Sequence, residues 1–477
     1  MSTAKLLVKN TIILIFGEVL SRAMSLILIV LIARYLGEIG LGKYSFVFAF
    51  VGVFSMLSDF GANVYMNKEL SRDTSLAKEY LGKIFVFKLI IGAVAALLPV
   101  IVIIFTNQSS EIKIGVLLAA MGMFMYYIAF PFRAVVNAFE IQSYQSLYVI
   151  SERIIAFVLG AFVLYNGYGL LALLIVLALS NTSSWFILYS LVSKKLVKLQ
   201  PKFDFKFIKS FLKKSLPFWL TAVFITIYFK IDIVMLSFLK DYAAVGWYNA
   251  SYKIIDTLSF IPFVIITVVF PIMSKFYKKN EKMLSILYEK SFYYLILLAL
   301  PLGIGITLLA NKIILFVYKQ NFVNSIIALQ ILIWALVFIF VNYLMGYLLN
   351  SIEKQKLFTY TTGISAILNI ILNLILIPLY SFIGASIATV ATELFNFILL
   401  FYFTSKNGFH LNLFKILIKP LVASILMGIF VVYLNKLHLL VLVPLSIIFY
   451  FIILFLIGGI KEEDKKLLFS FVGAKQL

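Results

Sequence analysis

The sequence predicts an all-α integral membrane protein with about 14 transmembrane helices, in two six-helix bundles related by a parallel pseudo-two-fold, plus two C-terminal helices. Three observations predict it. The 477-residue chain is 63% hydrophobic and only 13% charged, with a mean hydropathy of +1.07, more apolar surface than a soluble chain can hide. Its apolar runs are continuous and approach the roughly 20 residues that a helix needs to cross a bilayer. The segment Asn137-Ala138-Phe139-Glu140-Ile141-Gln142 returns 213 positions later as Asn350-Ser351-Ile352-Glu353-Lys354-Gln355, which marks a duplicated unit of roughly 200 residues.

Lipid offers no hydrogen-bond partners, so spans must be helices or a closed barrel, and continuous runs rather than alternation select helices. In order, the apolar runs place spans at 11–33, 42–66, 83–106, 113–135, 143–165 and 169–192 in the first half. The second half holds 215–239, 245–272, 287–309, 325–348, 357–377 and 381–403, and the extra pair is 416–434 and 440–460. The expected organisation is therefore 1–200, 201–410 and 411–477. Two further echoes support the duplication. Gly42-Lys43-Tyr44 and Gly246-Trp247-Tyr248 lie 204 apart, and Gly169 and Gly384 lie 215 apart. Six spans per repeat is an even number, so both halves enter from the same side and the repeat is parallel, with room for a cavity between bundles that rock.

Loop charges orient the chain. With the N-terminus in the cytoplasm, 29 of the 41 basic residues fall in cytoplasmic segments and 7 on the opposite side. That is a positive-inside split, expected of a cell membrane protein with both termini cytoplasmic. The same distribution argues against nucleic acid as the partner of the +21 net charge. The most basic loop, Lys194 to Lys214, interleaves Lys202, Lys206, Lys209, Lys213 and Lys214 with Phe203, Phe205, Phe207 and Phe211. It reads as an interfacial helix on anionic lipid, with an RNA-binding stripe as the alternative. The first span carries Glu18 and Arg22, unlike a cleavable signal segment. Cysteine is absent, which excludes disulfides, thiolate nucleophiles and cysteine metal sites. His410 and His438 read as residues at helix ends, and no cofactor or metal is expected.

Ionisable groups at membrane depth cost roughly 2.5–3.5 kcal/mol each on insertion scales and persist by facing a partner or a watery cavity. Glu18 and Arg22 are four apart on one helix face, extended by Ser21 and Ser25. Asn249, Lys253 and Asp256 form a second polar stripe. Lys230 and Asp232, two apart, point away from each other. Glu152 and Arg153 sit midway along the fifth span. The cations Arg22, Arg153, Lys230 and Lys253 are the candidate lining for an anionic substrate such as a diphosphate; the alternative is that each locks helices by pairing with a nearby acid. Lys88 and Arg133, nearer the cytoplasmic ends, read as snorkelling residues. Thr362, Ser365, Asn369 and Asn373 form a polar stripe, as do Thr389, Thr392, Glu393 and Asn396. These suit sugar hydroxyls and water, or serve as interhelical glue. The acids Glu18, Asp59, Asp232, Asp256 and Glu393 are candidates for ion coupling (Na+ or H+) or for pairing, with Asp59 favoured as structural. Pro262, inside the eighth span, is the candidate hinge, with a fixed kink as the alternative.

The ordered set Ala33-Arg34-Tyr35-Leu36-Gly37, Gly42-x-Tyr44, Asp59-Phe60-Gly61, Lys230-Ile231-Asp232, Gly246-x-Tyr248, Asp256-x-x-x-Phe260-Ile261-Pro262, Pro271 and Gly384-Ala385-Ser386 resembles the polysaccharide or O-antigen (Wzx-type) flippases. These belong to the multidrug/oligosaccharidyl-lipid/polysaccharide exporter superfamily. The resemblance spans nearly the whole length. It implies translocation of a lipid-linked (isoprenoid diphosphate) oligosaccharide to the outer leaflet by alternating access. It also implies membrane lipids and other polysaccharide-assembly proteins as partners. A cation-coupled drug exporter of the same superfamily is the rival. A membrane glycosyltransferase would need a large extramembrane domain with catalytic carboxylates, and no predicted loop much exceeds about 20 residues, so no enzyme activity is expected.

Overall fold

The computed structural model describes residues 3–459, with side chains described from Gly17 onward except at Glu18, Pro217, Phe218 and Thr221. The described chain is helical throughout. In the first half run α1 (Thr3–Phe54), α2 (Met56–Asp59), α3 (Ala62–Arg72), α4 (Ala77–Ile104), α5 (Ser110–Ala138), α6 (Gln142–Tyr165) and α7 (Gly169–Lys195). There follow α8 (Phe205–Leu239), α9 (Tyr242–Leu258), α10 (Phe260–Tyr277), α11 (Glu281–Tyr318), α12 (Ser325–Ser351) and α13 (Gln355–Lys406). The chain closes on α14 (Leu413–Tyr433) and α15 (Leu439–Leu456). His438 caps α15 as a helix-end residue, its Nδ1 accepting from the Leu440 amide at 3.3 Å.

Among the described residues, twelve helical segments are long and apolar enough to cross a membrane. Two are too long to cross once. A 52-residue helix rises about 78 Å, well over twice the hydrocarbon thickness. Both 52-residue helices turn back midway. In α1 the turn is Gly37, at φ 69°, a conformation that a Cβ disfavours. In α13 it is Ser381, at φ 53° and ψ −134°. Counting each as two crossings gives the fourteen expected.

Two spans are broken rather than reversed. The second breaks at Asp59-Phe60-Gly61, where Phe60 (φ 45°) and Gly61 (φ 71°) are left-handed. A break in hydrocarbon frees carbonyls that must find donors. Trp219 Nε1 donates to Met56 O at 2.7 Å, Lys88 Nζ to Ser58 O at 2.9 Å and Ser215 Oγ to Phe60 O at 2.7 Å. Lys88 therefore does not snorkel. It is fully buried and pairs with Asp59 Oδ1 at 2.6 Å, because the break concentrates acceptors there that outcompete a distant interface. Asp59 takes the pairing role. The eighth span breaks between α9 and α10 at Ser259. Pro262 explains the position: it has no N–H for Leu258 O, and its ring clashes with that carbonyl, so the helix stops four residues earlier.

The repeated hexapeptide is a helix-ending turn in both copies. Glu140 (φ 58°) and Glu353 (φ 61°) are left-handed. The Ile141 amide bonds Val136 O at 3.1 Å and Glu140 bonds Asn137 O at 3.1 Å; Lys354 bonds Leu349 O at 2.8 Å and Glu353 bonds Asn350 O at 3.3 Å. This is the Schellman pattern, which satisfies the last carbonyls of α5 and α12. The Gly42 and Gly246 echo is a helix crossing. A Cβ on Gly42 would lie 1.8 Å from Tyr242 O, and one on Gly246 would lie 2.0 Å from Glu38 O. The third echo is not structural: Gly169 adopts φ 80° in open space, whereas Gly384 lies against Leu376 O.

The chain divides into two compact units, residues 1–257 with 362–388, and residues 258–361 with 389–477. These cut across the expected division at 200 and 410, which rests on the sequence repeat. In the first unit a core of Tyr65, Met66, Leu81, Phe132, Val135, Leu188 and Phe211 joins α3, α4, α5, α7 and α8. The basic stretch before the seventh span is not a separate interfacial helix. From Phe205 it is the first turns of the 35-residue α8, where Ile208 and Phe211 are buried in this core and the Phe211 ring lies against Tyr65 and Tyr80. These apolar side chains pack on protein, whereas Phe203 and Phe205 of the same stretch stay exposed. Asp204 caps α8 by accepting from the Phe207 amide at 2.9 Å, and Lys83 donates to its Oδ2 at 2.7 Å. That ammonium first, then the amide, holds the Asp204 carboxyl below the usual carboxylate range. In the second unit, Leu297, Ala423, Met427, Tyr450 and Leu454 form a core that seats α14 and α15 against α11, with Tyr450 Oη donating to Leu297 O at 2.7 Å.

Candidate functional site

Four helices of the first unit converge on one cavity of about 310 Å³. Helical spacing sets each contribution. From α1 come Ser21, Arg22 and Ser25, and from α5, seven residues apart, Tyr126 and Arg133. Helix α6 supplies Tyr148, Glu152 and Arg153, and α9 supplies Lys253, Asp256 and Thr257. Four cations face two carboxylates, which leaves a net positive lining within spans of the fold.

The carboxylates do not neutralise the cavity one for one. Asp256 alone engages several cations. Lys253 Nζ lies 2.8 Å from its Oδ2, Arg22 Nη1 donates to its main-chain oxygen at 3.2 Å, and Lys230 lies within electrostatic reach of Asp256 and Lys253. Arg153 Nε contacts Glu152 Oε2 at 3.1 Å and donates to Ser21 Oγ at 3.1 Å. Arg133 is the cation the sequence missed. Its Nε donates to Gln145 Oε1 at 3.2 Å, and its guanidinium lies 5.9, 5.4 and 5.5 Å from the ring centroids of Tyr126, Phe130 and Tyr148. The spacing Tyr126, Phe130, Arg133 puts the aromatic rings and the cation on one helix face, a signal that outweighs nearness to a span end. It is not a snorkelling residue, because this box of rings holds it inward.

Of the four predicted lining cations, Arg22, Arg153 and Lys253 line this cavity. Lys230 stands beside them, its stem lying over Gly52, 4.0 Å from where a Cβ would sit. The side chain of Glu18 lies outside the described residues. Asn249 instead donates to Ser45 Oγ at 2.5 Å, tying α9 to α1.

The remaining polar residues are not among those that line this cavity. Asp232 does point away from Lys230: it is buried, accepting from Tyr248 Oη at 2.8 Å and from Asn373 Nδ2 at 2.6 Å. Asn373 also donates to Asn369 Oδ1 at 3.1 Å, while its own Oδ1 is buried without a partner. Thr362 and Ser365 continue that stripe and are buried. In the second unit Asn342 Nδ2 donates to Glu393 Oε2 at 2.8 Å and to its main-chain oxygen at 3.1 Å. Glu393, Thr389, Thr392 and Asn396 are buried there.

Among the described residues, fourteen helical crossings, two broken spans and a charged cavity define a multi-pass membrane protein of the transporter kind. The chain belongs to the polysaccharide biosynthesis protein family, whose model matches residues 7–277. A MatE model also matches residues 217–375. An uncharacterized membrane protein of Methanocaldococcus jannaschii, MJ1068, is 25% identical over 335 residues, 68% of this chain, and the chain spans 65% of that relative's length. The probable low-salt glycan biosynthesis flippase Agl15 of Haloferax volcanii is 24% identical over 417 residues, 84% of each chain. The structure of the lipid II flippase MurJ in an inward closed conformation matches with a TM-score of 0.76 at 18% identity, covering 93% of this chain and 98% of that one. That likeness shows a shared fold.

Proposed function

We propose that this protein is a flippase that carries a lipid-linked, isoprenoid diphosphate oligosaccharide from the cytoplasmic to the outer leaflet by alternating access. The observation that carries the reading is the cluster of Arg22, Arg133, Arg153 and Lys253 around one membrane-depth cavity with only two acids. Isolated cations there cost several kcal/mol in total, so a lining kept net positive is suited to an anionic head. Arginine forks bind phosphate oxygens in pairs. The half-buried Tyr126 beside them offers its hydroxyl to a first sugar, while the isoprenoid tail stays in lipid. No covalent step by the protein is required. The resemblance of the sequence motifs and the similarity to a probable glycan biosynthesis flippase of Haloferax support a glycan-bearing substrate. The orientation we propose has both termini cytoplasmic in the cell membrane, with other polysaccharide-assembly proteins as partners.

Ion coupling is a second part of the proposal. Asp232 with Asn369, Asn373 and Tyr248 gathers oxygen ligands in a buried place, including the unpartnered Asn373 Oδ1. Hard cations favour such oxygens, so Asp232 is our candidate for coupling to Na+ or H+, ahead of Asp59, whose charge Lys88 takes up.

The MatE match favours a cation-coupled drug exporter as the alternative reading. Proteoliposomes separate the two. The flippase reading expects the wild-type protein to move fluorescent isoprenoid-diphosphate oligosaccharide between leaflets, with the rate set by a Na+ or proton gradient, and to leave cationic dyes unmoved. Dye efflux without lipid flipping would establish the exporter instead.

A further inference from the structure

The second unit holds a separate basic pocket of about 330 Å³ where α11, α14 and the end of α15 meet. Its wall carries Lys290, Lys415 and Lys419, one acid, Glu289, and the phenols of Tyr293 and Tyr294. Lys415 and Lys419 are one helical turn apart, so both ammonium groups rise from the same face of α14. They stand on the first two turns of α14, which Asn412 caps by accepting from the Lys415 amide at 3.1 Å. Two hydrogen bonds fix the frame: Lys419 Nζ donates to Gly458 O at 2.7 Å and Tyr293 Oη to Gly459 O at 2.5 Å. Lys415 and Lys419 make no ion pair with any acid among the described residues.

The surroundings choose between a soluble and a lipid anion. Phe414 is 78% exposed, Leu456 is 72% exposed, and Ile418 and Ile286 are also open. Exposed apolar side chains on membrane-spanning helices face acyl chains. Lysines at the rim of such helices sit at headgroup depth, on the side of the membrane that carries most of the basic loops. We infer that this pocket is a binding site for the phosphate of an anionic phospholipid of that leaflet, held by Lys415 and Lys419 with Tyr294 and Lys290 beside it. The site is distinct from the cavity of Arg22 and Lys253, and it depends only on membrane embedding, not on what the protein transports.

The test is lipid retention by the purified full chain in mixed micelles of equimolar POPC and POPG, with bound lipids counted by native mass spectrometry during delipidation. A net excess of two cations corresponds to roughly 30-fold preference for POPG over POPC. The wild type should keep one POPG with that preference. K415Q/K419Q should reduce it to near parity, while K415R/K419R should keep it. Equal retention of the two lipids by the wild type overturns the inference, even if the glutamine variant fails to fold. So does unchanged preference in a folded K415Q/K419Q. Displacement of POPG by inorganic phosphate would assign the pocket to a soluble anion and overturn it as well.

Discussion

Gly42 and Gly246 each rest on the main-chain oxygen four residues before the other: Gly42 on Tyr242 O and Gly246 on Glu38 O. The relation is reciprocal and uses the same 204-residue offset on both sides, so a local two-fold passes through the crossing of α1 and α9. Small residues let membrane helices approach this closely, and dispersion and backbone contact replace the hydrophobic drive that lipid removes. The crossing also fixes α1 against α9, the helices that carry Arg22 and Lys253. Gly42→Ala and Gly246→Ala should each cost about 1–3 kcal/mol through overpacking against backbone. The double variant should cost less than the sum, because both changes open one crossing. Thermal unfolding in detergent measures this, and two silent single variants would refute it.

The break in the second span depends on Lys88 and Asp59. Removing one partner leaves a buried charge, so Lys88→Met or Asp59→Asn alone should destabilise by roughly 3–5 kcal/mol. The paired change K88M/D59L should recover much of that loss. Equal stability of the single variants and the wild type would show that the pair holds nothing together.

Asp256 draws cations that a diphosphate would also use. Asp256→Asn removes a competing negative charge, so the binding of a lipid-linked diphosphate should tighten by about tenfold. Flipping should slow, because release becomes harder. Weaker binding by a well-folded Asp256→Asn protein would place the carboxylate in substrate recognition instead.

Asp204 gives a pH dependence. Its folded carboxyl titrates below the unfolded value of about 3.9. Its stabilisation is therefore present above that value and lost as pH falls through the depressed one. Amide protection at the start of α8, near the Phe207 amide, should fall on acidification once intrinsic exchange rates are divided out, and should already be low at neutral pH in Asp204→Ala, which has no capping oxygen. Protection that stays flat across that range in the wild type would exclude the capping role.

Much of this was legible in the sequence, and the failures share a cause. Span number followed from hydropathy because lipid enforces helices of nearly fixed length. The duplicated hexapeptide was legible as a turn because an αL helix end needs a fixed local pattern, which recurs at Glu140 and Glu353. Arg22, Arg153 and Lys253 could be found because a cation within a span demands a reason. Arg133 and Lys88 were misread because depth along one helix says nothing about neighbours. The ring box around Arg133 is built by α5 and α6 together, and the acceptors around Lys88 exist only because the second span breaks. Ile208 and Phe211 in the first turns of α8 misled similarly, since an apolar stripe looks the same whether lipid or α3 and α4 cover it.

The proposal that the cavity holds the diphosphate head is tested most directly by the initial rate of leaflet transfer of a fluorescent isoprenoid-diphosphate oligosaccharide in proteoliposomes. The comparison is between the wild type and Arg22→Ala, Arg153→Ala and Lys253→Ala at matched protein insertion. Loss of a charge-assisted phosphate contact corresponds to roughly 10- to 100-fold, so each variant should insert normally and flip at least tenfold more slowly. Wild-type rates in all three variants would contradict it.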